Sequence, residues 1–385
     1  MSTGSNKQWE AITLSSICST AKNIKWNEER DDREYRYIDL TSVDRVSHTI
    51  VSPQVINKSN APSRAQKIVV TNDVLFATTR PTLRRYCLIG SDFNNQICST
   101  GYCVIRPNQT RILPSWIYYL LTSDAFYNYI EPLQTGATYP AVTDKDVLKY
   151  AVPLPSLSEQ QRIVGILDAE FEKIDALKAN AEKNLQNAKD LFQAALKKEL
   201  EPKNGWKTHS IEEVSAKIFA GGDVPNDSLS KVQTTKYNVP IVSNGIEQDG
   251  LYGYTEFAKV NEPAITISGR GTIGYVVERL NPFYPIVRLI TIIPKLDEII
   301  TRYLYYSLRN VDFSHTGSSI PQLTVPMVKD KTICVPTVAE QGQIAFRLDT
   351  LSAKCKELQD NYTQTIALCD DLKQALLRKA FSGEL

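Results

Sequence analysis

The second half of this chain re-reads the first in order, with its connecting segments trimmed, so whatever fold it adopts must be made twice. Trp9, Leu14 and Ile17 answer to Trp206, Ile211 and Val214 at an offset of 197 residues. The segment Asp73-Val-Leu-Phe-Ala-Thr-Thr-Arg80 matches Pro263-Ala-Ile-Thr-Ile-Ser-Gly-Arg270 at 190, and Trp116-Ile-Tyr-Tyr-Leu-Leu121 matches Tyr303-Leu-Tyr-Tyr-Ser-Leu308 at 187. Pro140, Thr143, Val147, Pro155, Glu159, Gln160, Ile163, Leu167 and Asp168 then recur as Pro321, Thr324, Val328, Pro336, Glu340, Gln341, Ile344, Leu348 and Asp349, all at 181. An offset that shrinks along the chain is the mark of duplication with loops shortened, and it implies two similar halves related by a pseudo-two-fold.

Each half ends in a long heptad-patterned segment. Ile163, Leu167, Ile174, Leu177, Ala181, Ala188, Leu191 and Ala195 follow steps of three and four, with Glu170 and Asn184 as polar interruptions; Ile344, Leu348, Leu351, Cys355, Leu358, Tyr362, Cys369, Leu372 and Leu376 hold the same register in the second copy. Ser158 is a plausible N-cap for the first helix. About 40 residues at 1.5 Å each make a rod of roughly 60 Å. Two such helices in one chain most simply pair with each other, antiparallel, as a coiled coil holding two globular domains apart. Ile163, Leu167, Ile174, Leu177, Leu191, Ile344, Leu348, Leu351, Leu358 and Leu372 are the expected pairing residues.

The expected fold is therefore α+β: a globular domain over 1–157, a helix over 158–201, a second domain over 202–337 and a second helix over 338–385. The globular halves read as strand-rich, with β-branched runs at Lys67 to Phe76, Cys98 to Ile105, Ala264 to Ser268 and Val287 to Ile293. A single short helix is expected around Trp116 to Tyr127, with its counterpart at Tyr303 to Leu308. Glu201-Pro-Lys-Asn-Gly205 links the halves.

Composition excludes several function classes. No apolar run approaches the roughly 20 residues of a membrane span, and the N-terminus lacks a signal-peptide core, so a cytoplasmic protein without membrane contact is expected. Seven cysteines without CxxC spacing, far from three histidines, argue against a zinc site or a disulfide framework. Net charge is +1, with 17 basic and 14 acidic residues over 1–157, 14 and 13 over 202–337, and slightly acidic helical parts. Any nucleic-acid contact must come from local clusters rather than a basic field.

Catalytic motifs are weak. Gly269-Arg-Gly-Thr-Ile-Gly274 fits GxGxxG after a strand, but the β-prone Tyr275-Val-Val-Glu that follows suits a hairpin and not the helix a dinucleotide site needs. Asn281-Pro-Phe-Tyr284 resembles the Asn-Pro-Pro-Tyr motif of amino-methyltransferases, with Phe at the third place and no glycine-rich S-adenosylmethionine loop before it. No GxxxxGK[ST], HExxH or GxSxG is present.

What remains suits recognition. Lys58, Arg64, Thr78, Thr79, Arg80, Arg84, Arg85 and Thr138 are candidate DNA contacts in the first half. Ser243, Asn244, Tyr252, Tyr254, Ser268, Arg270, Thr272, Ser318 and Ser319 are the candidates in the second. Arginine can take bidentate bonds to guanine or hold phosphate, and hydroxyls can reach either. Arg80 and Arg270 stand out because the repeat places them after equivalent strands; Gly136-Ala-Thr138 and Gly317-Ser-Ser319 form a second equivalent pair.

Pro153-Leu-Pro155 followed by Ser158-Glu-Gln-Gln-Arg-Ile163, its second copy Val335-Pro336 with Ala339-Glu-Gln-Gly-Gln-Ile344, the terminus Leu376 to Leu385, and Pro240-Ile-Val-Ser-Asn-Gly245 through Ile265 to Gly274 together resemble the specificity subunits of type I restriction-modification enzymes. The resemblance implies two target recognition domains, each reading half of an asymmetric bipartite site in double-stranded DNA. It implies two methyltransferase subunits docked on the helical regions, and optional restriction subunits. S-adenosylmethionine would sit on the methyltransferase, and ATP with Mg on the restriction subunit; none of these belongs to this chain, which would be non-catalytic. Residues 1–150 match no recognition type. Two other classes stay open on the residues alone: a solitary methyltransferase acting through Asn281 to Tyr284, and a scaffold of two β-rich domains on a helical strut.

Overall fold

The computed structural model describes residues 9–313 and 322–385, which form two compact units, Met1–Ala181 with Gln364–Leu385 and Glu182–Thr363. In the first half the strands are β1 (Ala11–Thr13), β2 (Cys18–Ser19), β3 (Tyr35–Ile38), β4 (Gln54–Ile56), β5 (Ala65–Val69), β6 (Val74–Ala77), β7 (Tyr86–Leu88), β8 (Gln96–Ser99), β9 (Tyr102–Pro107) and β10 (Ala151–Pro153). Those of the second are β11 (Lys207–Ser210), β12 (Ser215–Ala220), β13 (Val239–Val242), β14 (Leu251–Thr255), β15 (Ala264–Ile267), β16 (Val276–Arg279), β17 (Tyr284–Pro285), β18 (Ile290–Pro294) and β19 (Thr332–Val335). The helices are α1 (Pro114–Thr122), α2 (Asp124–Ile130), α3 (Asp144–Leu148), α4 (Leu157–Glu199), α5 (Thr301–Arg309), α6 (Val325–Lys329) and α7 (Val338–Ser382).

The repeat seen in the sequence is a repeat of topology. Sheet β2-β9-β6-β7 has its counterpart in β12-β18-β15-β16, the pair β1-β10 in β11-β19, and β4-β3-β8-β5 in β14-β13-β17. Even the unusual parallel pairing recurs, β3 with β8 and β13 with β17.

Single apolar runs divide where a turn can be locked. Lys67 to Phe76 feeds two sheets, because Asp73 accepts the Val70 N–H at 2.8 Å while Asn72 takes a left-handed φ of 74°. Fully buried Asp73 is neutralised by Arg106, with both contacts at 2.8 Å. The expected helix over Trp116 to Tyr127 is likewise two, since Ser123 leaves helical geometry and its hydroxyl caps α2 at Phe126 N–H.

In the first unit, Phe76, Tyr86 and Trp116 pack with Ile163 and Leu167 of α4 and with Leu377 and Ala380 of α7. The second unit is built alike: Ile265, Tyr303 and Tyr306 pack with Phe192 and Leu196 of α4 and Ile344, Leu348 and Cys355 of α7. The helices pair antiparallel as a coiled coil. Lys178 meets Asp370 at 2.7 Å, Lys373 bonds Asp175, and Arg162 donates to the Leu385 carbonyl at 2.6 Å in the first unit; in the second, Arg347 meets Glu199 at 2.7 Å.

Two helical expectations are corrected. The cap of α4 is Ser156, whose hydroxyl accepts Glu159 N–H at 3.3 Å, and not Ser158, which lies inside the first turn. Its counterpart Thr337 accepts Glu340 N–H at 3.4 Å, and Glu340 returns the bond to Thr337 N–H at 3.1 Å, a capping box. Leu177 and Leu191 (52% exposed each), Leu358 (40%) and Leu372 (48%) stand off the buried stripe, which runs through Ile174, Ala181, Ala188, Phe192 and Leu196 on α4 and through Cys355, Cys369 and Leu377 on α7. One heptad position stays buried, through Ile174, Ala181 and Ala188 on α4 and Leu348, Cys355 and Cys369 on α7, while each exposed leucine lies three residues after a member of that row, at the open edge of the contact.

Candidate nucleic-acid interface

Equivalent loops carry the two equivalent arginines. After β6 the chain makes a 3-10 turn, Pro81–Leu83, flanked by two left-handed residues, Arg80 at φ 50° and Arg84 at φ 53°. The Arg80 N–H donates to the Pro140 carbonyl at 2.7 Å, and its exposed guanidinium lies 4.7 Å from the Tyr139 ring and 3.4 Å from the Thr138 carbonyl. After β15 the glycine-rich segment is a hairpin turn, since β15 pairs antiparallel with β16. Arg270 at its tip is exposed and donates to Gln322 Oε1 at 3.1 Å. Each loop is stitched to the segment that leads into a later short helix, α3 in the first half and α6 in the second. Val142 N–H bonds Thr78 O and Leu323 N–H bonds Gly269 O, both at 2.9 Å.

Several candidates prove to be framework. Thr78 is 7% exposed and its hydroxyl donates to the Gly101 carbonyl at 2.9 Å. Ser268 is 2% exposed inside the second domain. Lys58 holds the Glu29 carbonyl at 3.2 Å and the Asp31 carboxylate at 3.1 Å. Arg84 bonds Asp124 at 2.7 Å and lies 4.2 Å from the Tyr127 ring, fastening the loop to α2. Asn244 bridges two loops, accepting Gly269 N–H at 2.8 Å and donating to the Val287 carbonyl at 2.7 Å. Arg85 is half-buried with its Nε out of solvent, Thr79 is half-buried in a bridge to Ala141, and Ser243 and Tyr254 are half-buried beside β13 and in β14. Arg64, Thr138, Tyr252 and Thr272 are exposed. Lys231 lies 3.5 Å from the Tyr252 ring, a cation against an aromatic face. Ser318 and Ser319 lie outside the described residues.

Behind the Arg270 loop, Tyr275 donates to Asp249 at 2.7 Å; burial first, then that carboxylate, pushes its phenol up to about 12. Arg279 reaches Thr266 at 3.2 Å and the Asp249 carbonyl, and burial lowers its pKa from the usual guanidinium value. Domain and helix are joined by matched bonds: Tyr119 to Asp168 at 2.5 Å and Tyr306 to Asp349 at 2.6 Å.

Among the described residues no three of His, Cys, Asp or Glu gather as a metal site. The cysteines are free thiols, and burial pushes Cys18 and Cys87 up to about 12. Asn281 to Tyr284 leads into a strand: Phe283 is 1% exposed and Tyr284 opposes Ile241 in β17. One feature had no sequence signal: Val287 and Arg288, both exposed, take left-handed φ of 51° and 60°. A β-branched residue rarely does so.

The doubled β-rich domain on a shared antiparallel helix pair matches, over residues 6–187 and 203–368, the family described as Type I restriction modification DNA specificity domain, and the chain belongs to that family. S.MpnORF89P of Mycoplasma pneumoniae, named as a type I specificity subunit, is 30% identical over 301 residues, covering 74% of this chain and 87% of that one. The EcoKI specificity subunit of Escherichia coli K12 is 24% identical over 327 residues, 75% of this chain and 69% of its own. A chain from a structure concerned with complex assembly and conformational transition of the type I R-M system superposes with TM-score 0.88 at 27% identity, covering 98% of this chain and 99% of that one. The HsdS subunit of Thermoanaerobacter tengcongensis superposes at 0.64, with 27% identity and 98% of each chain covered. This chain is thus a specificity subunit: it recognises a DNA sequence and does not itself carry the catalytic chemistry.

Proposed function

We propose that the chain reads an asymmetric bipartite site in double-stranded DNA, one half-site to each domain, and docks two adenine methyltransferase subunits on its helical regions, with restriction subunits where the system has them. The observation that supports this reading is the recurrence, in two domains of one topology, of an exposed arginine on the same loop, Arg80 and Arg270, stitched to the same following segment. Two readers of one design suit two half-sites; the different residues on their loops suit different bases. S-adenosylmethionine then belongs to the methyltransferase partners, which must take each adenine out of the stack, and ATP and Mg to restriction partners. No described helix is long and apolar enough to cross a membrane, and the assembly works on DNA in the cytoplasm.

The test is footprinting of the assembly formed by co-expressing the chain with the methyltransferase subunit of the proposed complex. Two protected patches on one duplex, with a mass that fits two methyltransferase chains per specificity chain, support the reading. One continuous patch, or a complex with a single methyltransferase, contradicts it.

A further inference from the structure

We infer that the Val287-Arg288 pair is the base-reading element that sets the second domain's half-site apart from the first; the inference rests on the proposed DNA-reading function. In the first domain only Thr100 and Gly101 join β8 to β9. The equivalent join, β17 to β18, has four residues, Ile286 to Leu289. This longer join is a tight turn, closed by Leu289 N–H on the Ile286 carbonyl at 3.0 Å, with both central residues at positive φ. Such a turn is best made by Asn-Gly, because left-handed backbone is unfavourable for most side chains and worst for β-branched ones. Here it is made by Val and Arg.

The surrounding structure forces the conformation. Val287 N–H donates to Gly222 O at 2.8 Å, Arg288 N–H to Gly221 O at 3.0 Å, and Gly221 N–H to Leu289 O at 2.8 Å. Gly221 is required, since a Cβ there would stand 2.8 Å from Ile286 backbone atoms. From the other side Asn244 takes the Val287 carbonyl and binds Gly269 N–H, so the turn is tied to the residue beside Arg270. A Cβ on Gly269 would lie 3.5 Å from the Arg288 carbonyl, which places the turn against the base of the Arg270 loop. Both turn side chains face solvent, Val287 with 44% exposure, and neither builds the core. An outlier held from two sides, whose side chains do nothing for the fold, points to a surface function. Next to an exposed arginine in a DNA-reading domain, a methyl-bearing side chain suits a thymine methyl and a guanidinium suits a guanine edge.

The experiment replaces the pair with the residues the turn itself prefers, V287N/R288G, in the full co-expressed methyltransferase assembly. A parallel variant, Arg288→Lys, keeps the charge but loses the bidentate fork. Readouts are thermal stability, the methylated motif in host DNA and competition binding to single-base variants. The expected result is a midpoint equal to or above wild type for V287N/R288G. Both variants should still recognise one half of the motif, while discrimination at one or two positions of the other half falls by about 5- to 150-fold. An unchanged motif in V287N/R288G overturns the inference, as does an equal loss on every sequence, which would make Arg288 a phosphate contact. If the wild-type assembly methylates no split motif, the proposed function itself has failed and the turn is not at issue.

Discussion

Gln160 and Gln341, separated by 181 residues, are fully buried and make the same three hydrogen bonds, one in each unit. Gln160 accepts Leu113 N–H at 2.9 Å and donates to the carbonyls of Arg111 at 3.0 Å and Pro155 at 2.9 Å. Gln341 accepts Ile300 N–H at 2.8 Å and donates to Glu298 and Pro336 carbonyls, both at 3.0 Å. Each glutamine closes the backbone ahead of a domain helix onto the first turn of a long helix, α1 onto α4 and α5 onto α7. Leucine at either place would leave buried backbone groups unpaired, at about 1–3 kcal/mol for each such group. Gln160→Leu should therefore raise hydrogen exchange around residues 111–117 and Gln341→Leu around 298–304, each in its own unit. Exchange spread evenly over the whole chain in either variant would contradict this account.

The helix stripe gives a paired prediction. Leu348 is 1% exposed within the second core, so Leu348→Asp buries a charge and should lower the unfolding midpoint by many degrees. Leu177→Asp, at a position 52% exposed, should change stability by no more than about 0.5 kcal/mol. Thermal melts of the two variants decide it; equal losses would mean that Leu177 is a pairing residue after all.

Three arginines separate structure from recognition. Arg84→Ala breaks the bond to Asp124 and should lower the melting midpoint of the first unit. Arg80→Ala and Arg270→Ala should leave stability near wild type. If each reads a base, its loss should cost about 1–3 kcal/mol at one position of one half-site, measured by competition with single-base variants. An equal loss on all sequences would make that arginine a phosphate contact.

His48 stacks on Tyr86 with ring centroids 3.9 Å apart, and burial lowers its pKa to about 4, against a smaller upward pull from Asp44. The unfolded chain, with an ordinary histidine, takes up the proton first as pH falls. The stability due to neutral His48 is therefore present above about 6.5 and is lost as pH falls toward 4. His48→Phe keeps the stack without titrating, so its first unit should lose less stability than wild type between pH 7 and 4.5. Parallel stability profiles in the two proteins would contradict the assignment.

The repeat was legible because an offset between two copies needs no knowledge of structure, and it carried the doubling of a strand-rich domain, both long helices and the equivalence of Arg80 with Arg270. What stayed hidden depends on partners distant in sequence. Arg84 looks like an open DNA contact until Asp124, 40 residues on, takes it, and Lys58 until Glu29 and Asp31 do. The hydroxyls of Thr78 and Ser268 read as open DNA contacts because nothing local shows that strand ends are covered. Leu177 and Leu191 are exposed because the contact there is one row wide, through Ile174, Ala181 and Ala188, where a heptad count expects two. The Val287-Arg288 turn runs against its own residue preferences, so local pattern could only read it as strand.

The most direct test of the central claim is long-read mapping of adenine methylation in host DNA, with the chain co-expressed with the methyltransferase subunit of the proposed complex and again with the chain deleted. Methylation confined to one split motif, and absent without this chain, is the predicted result. Methylation that persists on the same sites without it, or that follows no split motif with it, would contradict the claim that this chain supplies the sequence specificity.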